Sequence, residues 1–182
     1  MRATSRLHGL FLAYFSRPKS DRPLYRATLA VRAQRIVQLG LGDGRRALRA
    51  IAAACRHQPA AEVRYTGIDL FEGQRDGSPG LSLKAAYKLL RTTGARVQLA
   101  PGDPLAALTR VANSLLKTDI LIVSHDQKAG NLGDAWFYVP RMLHANSLVF
   151  VERPAAAGTL ELVRLPLSEV SRLAARPRRQ AA

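Results

Sequence analysis

The sequence is poor in cysteine and histidine, the residues that form disulfides or bind transition metals in small proteins. It has one cysteine, Cys55, so no disulfide can form within the chain, and its four histidines show no zinc-ligand spacing. No apolar run approaches the about 20 residues that a transmembrane helix needs. From these absences we expect a cytoplasmic protein with no structural metal and no membrane partner.

Acidic residues are also scarce, with 13 Asp and Glu against 28 Lys and Arg and a net charge of +15. Twelve of the basic residues lie in residues 1–35 and 172–182, where the only acid is Asp21. Basic arms can bind phosphate backbones, which makes RNA an alternative partner. An arginine-rich, alanine-rich composition is, however, also typical of GC-rich coding sequences.

We divide the chain into three parts. Residues 1–34 are a basic helical extension, residues 35–171 a globular domain, and residues 172–182 a basic tail. The apolar segment 7–15 predicts a short helix on the domain surface or at an interface, which would suit a homodimer.

Short β-rich runs alternate with longer helical ones from residue 35 onward. The predicted strands are 35–39, 63–68, 97–100, 120–123, 147–151 and 160–165. The predicted helices are 45–57, 82–93, 104–116, 134–143 and 168–175. This alternation is typical of βαβ units. It predicts an α/β fold with a doubly wound, mostly parallel sheet and helices on both faces.

A glycine-rich turn follows the first predicted strand. Gly40, Gly42 and Gly44 stand at alternate positions before a helix, where backbone without Cβ atoms can approach a ligand beside the positive helix terminus. The dinucleotide fingerprint is G-x-G-x-x-G, and here the third glycine comes one residue early. The spacing favours a cofactor without a pyrophosphate over NAD. The lack of a Tyr-x-x-x-Lys pair also weakens an oxidoreductase reading.

Acids follow the second and third predicted strands. Asp69 is placed to accept hydrogen bonds from both hydroxyls of a ribose, and Asp103 either approaches a ligand or caps the helix that starts at Pro104. The carboxyl ends of neighbouring parallel strands meet at one edge of the sheet, where ligands bind in doubly wound folds. We therefore expect both acids near the glycine turn.

With these features the sequence resembles the class I S-adenosylmethionine-dependent methyltransferases, from about residue 35 to residue 152. The resemblance implies S-adenosylmethionine as cofactor, with the three glycines at its methionine half. It implies that Asp69 binds the ribose, Leu70 packs on the adenine and Asp103 lies near the adenine amino group. Asp43, inside the turn, is either a cofactor contact or a helix cap. Ser124, after the fourth predicted strand, joins the predicted cofactor contacts.

Two departures from the family pattern bear on function. Gln38 stands where the family usually has an acid that holds the cofactor's amino group, and an amide accepts that bond without charge assistance. The motif Asn/Asp-Pro-Pro-aromatic is absent, which argues against methylation of exocyclic amines of DNA bases or of protein glutamine. The stretch from residue 119 to residue 152 looks instead like small-molecule O-methyltransferases that act on catechols.

The metal site of those catechol enzymes is not matched. Ser124 stands in place of the first acidic ligand, and Glu152-Arg153 in place of an Asp-Asn pair, so hard oxygen ligands for Mg²⁺ are missing. We expect metal-independent transfer to an oxygen or nitrogen of a small-molecule acceptor. His125 is the candidate base, because the unperturbed pKa of a histidine is about 6.5, and Asp126 would orient it.

The alternatives to this reading are distinct. His125 would otherwise line a loop or cap a helix, and Trp136, Phe137 and Tyr138 either wall a flat acceptor or pack their own helix. At the level of function, the rivals are an RNA methyltransferase that uses the basic arms and an inactive methyltransferase-like binding or assembly domain. In a chain this short, acceptor recognition would come from the N-terminal segment, the loop 72–80 or a partner subunit.

Overall fold

A computed structural model of the chain describes residues 16–73, 80–124, 132–155 and 158–175. Its centre is a six-stranded sheet with the order β3-β2-β1-β4-β5-β6. Strand β6 is antiparallel to β5, and the other neighbours are parallel. The strands are β1 (Arg35–Leu39), β2 (Arg64–Asp69), β3 (Arg96–Pro101), β4 (Thr118–Val123), β5 (Leu143–Pro154) and β6 (Leu160–Leu165).

Helices cover both faces of this sheet. They are α1 (Arg22–Ala30), α2 (Arg45–Ala54), α3 (Leu83–Arg91), α4 (Pro104–Val111), α5 (Val139–Met142) and α6 (Leu167–Ala174). Short 3-10 turns span Lys19–Asp21, Ala60–Glu62, Phe71–Gly73, Ala112–Ser114 and Gly133–Tyr138. None of the helices in the described ranges has the length and apolar character to cross a membrane. The predicted α/β, doubly wound fold is confirmed.

The strand order reverses between β1 and β4, which both run parallel to their neighbours. Leu39, the last residue of β1, pairs with Ile68 on one side and Val123 on the other. The loops after β1, β2 and β4 therefore leave the sheet side by side. Doubly wound sheets bind ligands in the crevice at such a reversal, so topology alone marks this edge as the place for a site.

Helix α1 belongs to the folded core. Leu24 and Tyr25 are fully buried in the cluster that also contains Ile36 of β1 and Ile51 of α2. Burial of an apolar helix face thus joins residues 22–30 to the core of the sheet domain. The boundary at residue 34 stays a prediction based on the distribution of charge. The predicted helix 7–15 lies outside the described residues.

The remaining differences from the predicted elements have local causes. The region 134–143 divides into a 3-10 turn and helix α5. Pro140 has no N–H to donate to the carbonyl of Trp136. That carbonyl accepts from the N–H of Val139 instead, which closes the 3-10 turn. Strand β5 begins at Leu143, earlier than predicted. Trp136 is 4% exposed and belongs to a second core cluster, which also contains Val37 and Leu121. This burial supports the packing role of Trp136, whereas Phe137 is exposed.

Candidate active site at the carboxyl ends of β1, β2 and β4

The glycine turn after β1 has left-handed backbone at all three glycines, with φ of 81° at Gly40, 56° at Gly42 and 75° at Gly44. A Cβ added at Gly42 would meet no atom within 4 Å, so the turn is open there. A Cβ at Gly44 would lie 2.8 Å from the Leu89 side chain of α3. Gly42 thus leaves room for a ligand, while a Cβ at Gly44 would require the Leu89 side chain to shift.

Asp69, at the end of β2, fastens this turn to the sheet. Its Oδ2 accepts a hydrogen bond from the N–H of Leu41 at 2.6 Å, and its Oδ1 accepts one from the N–H of Leu70 at 2.7 Å. The carboxylate is 2% exposed. Burial, and secondarily the charge of Asp69, raises the pKa of the neighbouring Tyr65 hydroxyl well above its usual value.

Three side chains converge around the carbonyl of Gly40. The Gln38 Nε2 donates to this oxygen at 2.7 Å, and the Ser124 hydroxyl donates to it at 2.9 Å. The Tyr65 hydroxyl donates in turn to Gln38 Oε1 at 2.9 Å. Since Gln38, Tyr65 and Ser124 are all buried, the base of the site is held in one arrangement.

Arg46, in the first turn of α2, joins four parts of the chain. Its guanidinium donates to Asp21 Oδ1 at 3.1 Å, to the Ser124 hydroxyl at 3.1 Å and to Glu152 Oε1 at the end of β5. The side chains of Arg46, Asp21 and Glu152 are 16%, 3% and 8% exposed. Burial lowers the pKa of Arg46, but Glu152 and Asp21 more than offset this, so the pKa is raised and the guanidinium stays charged.

A cleft of about 440 Å³ opens beside the glycine turn, within the size range of small-molecule sites. Its lining carries both signs of charge, with four arginines and three carboxylates. The charged residues are Arg17, Arg45, Arg46, Arg49, Asp21, Asp43 and Glu152, and the others are Pro18, Gln38, Leu41, Gly42, Ser124 and Leu160. A pocket of mixed charge is suited to a polar ligand with both an anionic and a cationic group.

The structure brings some of the predicted site residues to this cleft and holds others beside it. Gln38, Gly42, Asp43 and Ser124 line the cleft. Gly40 and Gly44 complete the turn, and Asp69 supports it from beneath. Leu70 and Asp103 are exposed at the ends of neighbouring strands and do not line it. His125 and Asp126 lie outside the described residues.

Asp103 has a structural role in the chain as it stands. Its Oδ1 accepts from the N–H groups of Leu105 at 3.0 Å and Ala106 at 3.1 Å, as the N-cap of α4. Asp43 similarly accepts from the N–H of Arg45 and pairs with its exposed side chain. Any contact of either acid with a ligand would be additional to these bonds.

The sequence analysis missed Arg46 and Asp21, and it considered Glu152 only as a failed metal ligand. One signal was present: Arg45 and Arg46 occupy the first turn of α2, which contains no acid, although the helix dipole disfavours cations there. A residue that breaks a local rule is often held by function or by tertiary partners. Nothing local in the sequence marks Asp21, which reaches Arg46 only through the packing of α1 on α2.

Comparison with known proteins adds the class of fold. No protein-family profile and no curated protein sequence matches the chain. An O-methyltransferase from Bacillus cereus, solved with S-adenosylhomocysteine, is similar over 85% of this chain and 68% of its own, with a TM-score of 0.57 and 13% identity. The O-methyltransferase TomG from Streptomyces achromogenes, involved in tomaymycin synthesis and solved with S-adenosylmethionine, is similar over 82% and 65%, with a TM-score of 0.55 and 15% identity.

A third solved structure, cofactor-bound Rv0187 from MTB, is similar over 82% of this chain and 63% of its own, with a TM-score of 0.55 and 18% identity. The chain thus spans less than two thirds of the length of TomG and of Rv0187. Identities this low show the fold alone. That fold is the class I S-adenosylmethionine-dependent methyltransferase fold, as the resemblance in the sequence predicted.

Proposed function

We propose that this protein transfers the methyl group of S-adenosylmethionine to an oxygen or nitrogen of a small-molecule acceptor, without a metal ion. The observation that carries the proposal is the charged lining of the cleft. The Arg46 guanidinium and the Glu152 carboxylate lie beside the open glycine turn, in a fold shared with methyltransferases solved with this cofactor or its product.

The residues present fit the two halves of this cofactor. Its amino-acid end carries a carboxylate and an ammonium group. Arg46 would pair with the first, and Glu152 or Asp21 with the second. Gly42 would admit this end, since no atom stands within 4 Å of the place of a Cβ. The adenosine half would lie over Asp69 and the exposed Leu70, as the family resemblance implies.

The bound cofactor supplies an electrophilic methyl group, so the protein has to position the acceptor and remove a proton where the acceptor is protonated. His125 directly follows Ser124, whose hydroxyl bonds both Gly40 and Arg46. We assign His125 the role of base and Asp126 the role of orienting it.

Glu152 and Ser124 occupy the positions where the related catechol enzymes hold their metal ion. The contacts of these two residues support transfer without a metal. The Glu152 carboxylate is neutralised by Arg46, and Ser124 offers a neutral hydroxyl.

Calorimetric titration with S-adenosylhomocysteine and S-adenosylmethionine tests the cofactor site, with NAD as the specificity control. We expect micromolar binding of both sulfur compounds and none of NAD. Glu152→Gln should weaken binding at least tenfold. Glu169→Gln, which removes an acid that pairs with Arg172 in α6 and does not line the cleft, should not weaken it. Absence of binding by a folded protein would overturn the proposal.

The catalytic step needs a separate test. With labelled methyl donor and a panel of phenols and amines, His125→Ala should abolish turnover and leave binding of S-adenosylhomocysteine unchanged. An inactive binding domain is the alternative, and one observation favours it: the Gln38 amide already bonds Gly40 and Tyr65, so it is committed to the fold. Tight cofactor binding without turnover of any acceptor, RNA included, would support that alternative.

A further inference from the structure

Three arginines stand side by side at the opposite edge of the sheet. Arg35, Arg64 and Arg96 are the first residues of β1, β2 and β3, and the strand register pairs Arg35 with Arg64 and Arg64 with Arg96. Neighbouring strands are about 4.8 Å apart, so the row crosses roughly 10 Å of the sheet. At about 3.3 Å per residue, the length of β1 places it some 16 Å from the glycine turn.

The arginine row opens into a cleft of its own. A cavity of about 300 Å³ is lined by all three arginines and by Thr66 and Gln98, which lie two residues further along β2 and β3. Ser114, three residues after the end of helix α4, also lines this cavity. Apolar residues, among them Val37, Val97 and Leu115, complete the lining. Gln98 is exposed, whereas Thr66 is buried.

The positive charge of this cleft is little compensated. Arg35 donates to the carbonyl of Leu116, and among the described residues neither Arg64 nor Arg96 has an ion-pair partner. Two acids are near: Glu62 lines an adjoining cavity with the arginines, and Asp119 accepts from the backbone N–H of Arg35 while pairing with His144. Like charges directly opposite one another on neighbouring strands are destabilising, so a bound anion would relieve a repulsion built into the fold.

We infer that this arginine row binds adjacent phosphate groups. The planar guanidinium matches the geometry of phosphate oxygens and binds them through paired hydrogen bonds, and three cations need a ligand with more than the single charge of a carboxylate. Thr66, Gln98 and Ser114 add neutral hydrogen-bond donors. The ligand is a free oligophosphate or the backbone of a nucleic acid, and both present the same chemistry to the row.

The test compares two double variants with equal loss of charge. Arg64→Gln/Arg96→Gln removes the exposed members of the row, and Arg91→Gln/Arg141→Gln removes two exposed arginines that lie over aromatic rings elsewhere. Tripolyphosphate should bind the wild type and the control with equal affinity and the row variant at least tenfold more weakly. The row variant should melt no lower than the wild type without ligand, because a repulsion has been removed.

A single-stranded RNA oligonucleotide forms the second arm. A loss of RNA affinity confined to the row variant, with a shallower salt dependence, would identify a nucleic acid as the source of the phosphates. A loss confined to tripolyphosphate would identify a free oligophosphate. Equal binding of each ligand by both double variants, or binding of neither by the wild type, would overturn the inference. S-adenosylhomocysteine titration of the row variant should match the wild type, so the outcome is independent of the proposed function.

Discussion

Arg46 and Glu152 are 106 positions apart in the chain, and their side chains form an ion pair across the carboxyl edge of the sheet. Arg46 also pairs with Asp21, and all three side chains line the cleft beside the glycine turn. A buried arginine between two buried carboxylates is costly to form, but it is more costly to break, because removing the cation leaves two uncompensated charges.

Arg46→Met should therefore destabilise the protein by about 3–5 kcal/mol, measured by urea unfolding. Arg45→Met is the matched control: the adjacent side chain is 77% exposed and pairs with an exposed Asp43, so its loss should cost less than about 1 kcal/mol. Equal losses in the two variants would show that the network is solvated and contributes little.

Asp69→Asn should destabilise the protein by about 1–3 kcal/mol. The two carboxylate oxygens of Asp69 each accept from a backbone N–H. The amide of asparagine has only one acceptor oxygen, so its NH₂ group would face the other backbone N–H and leave it without an acceptor. Asp103→Asn should have little effect, since asparagine caps a helix as well as aspartate does. Thermal and urea unfolding measure both, and a stability change of equal size in the two variants would contradict the role of Asp69 in fastening the turn.

Gly44→Ala should cost more stability than Gly42→Ala. Both positions have left-handed backbone, which costs an L-residue about 1–2 kcal/mol, but only at Gly44 would the new methyl group meet the Leu89 side chain at 2.8 Å. Binding of S-adenosylhomocysteine should be weakened more by Gly42→Ala than by Gly44→Ala, because only the methyl group at position 42 would enter the cleft. If Gly42→Ala binds as the wild type does, the ligand does not approach that residue.

Cys55 should react slowly with thiol reagents. Partial burial against the core cluster that contains Leu24 raises the pKa of the thiol, so less of the reactive thiolate is present at a given pH than in an exposed cysteine. The rate of modification by a disulfide reagent at pH 8 should be lower for the native protein than for the urea-unfolded protein and should increase as the pH is raised. A native rate equal to the unfolded rate would show that the side chain is not protected.

Much of the fold could be predicted from the sequence because its signals are local. Strands β1 and β6 match their predicted bounds, and the other strands were placed with errors at their ends. Strand ends depend on pairing with neighbouring strands, which the local sequence does not contain. The burial of Leu24 and Tyr25 in α1 likewise depends on the packing of α1 beside α2. The glycine turn and Asp69 were also predictable, since turn chemistry and strand ends are properties of short segments.

The sequence by itself thus determined the alternation of strands and helices, the class of fold and the glycine turn. Only the tertiary structure decided which charges meet. Arg46 reaches Asp21 and Glu152 because β1, β4 and β5 lie side by side with α1 packed on α2, and Arg35, Arg64 and Arg96 align because parallel register sets their strands level. Both clusters depend on contacts between segments distant in the chain, which no local pattern of residues encodes.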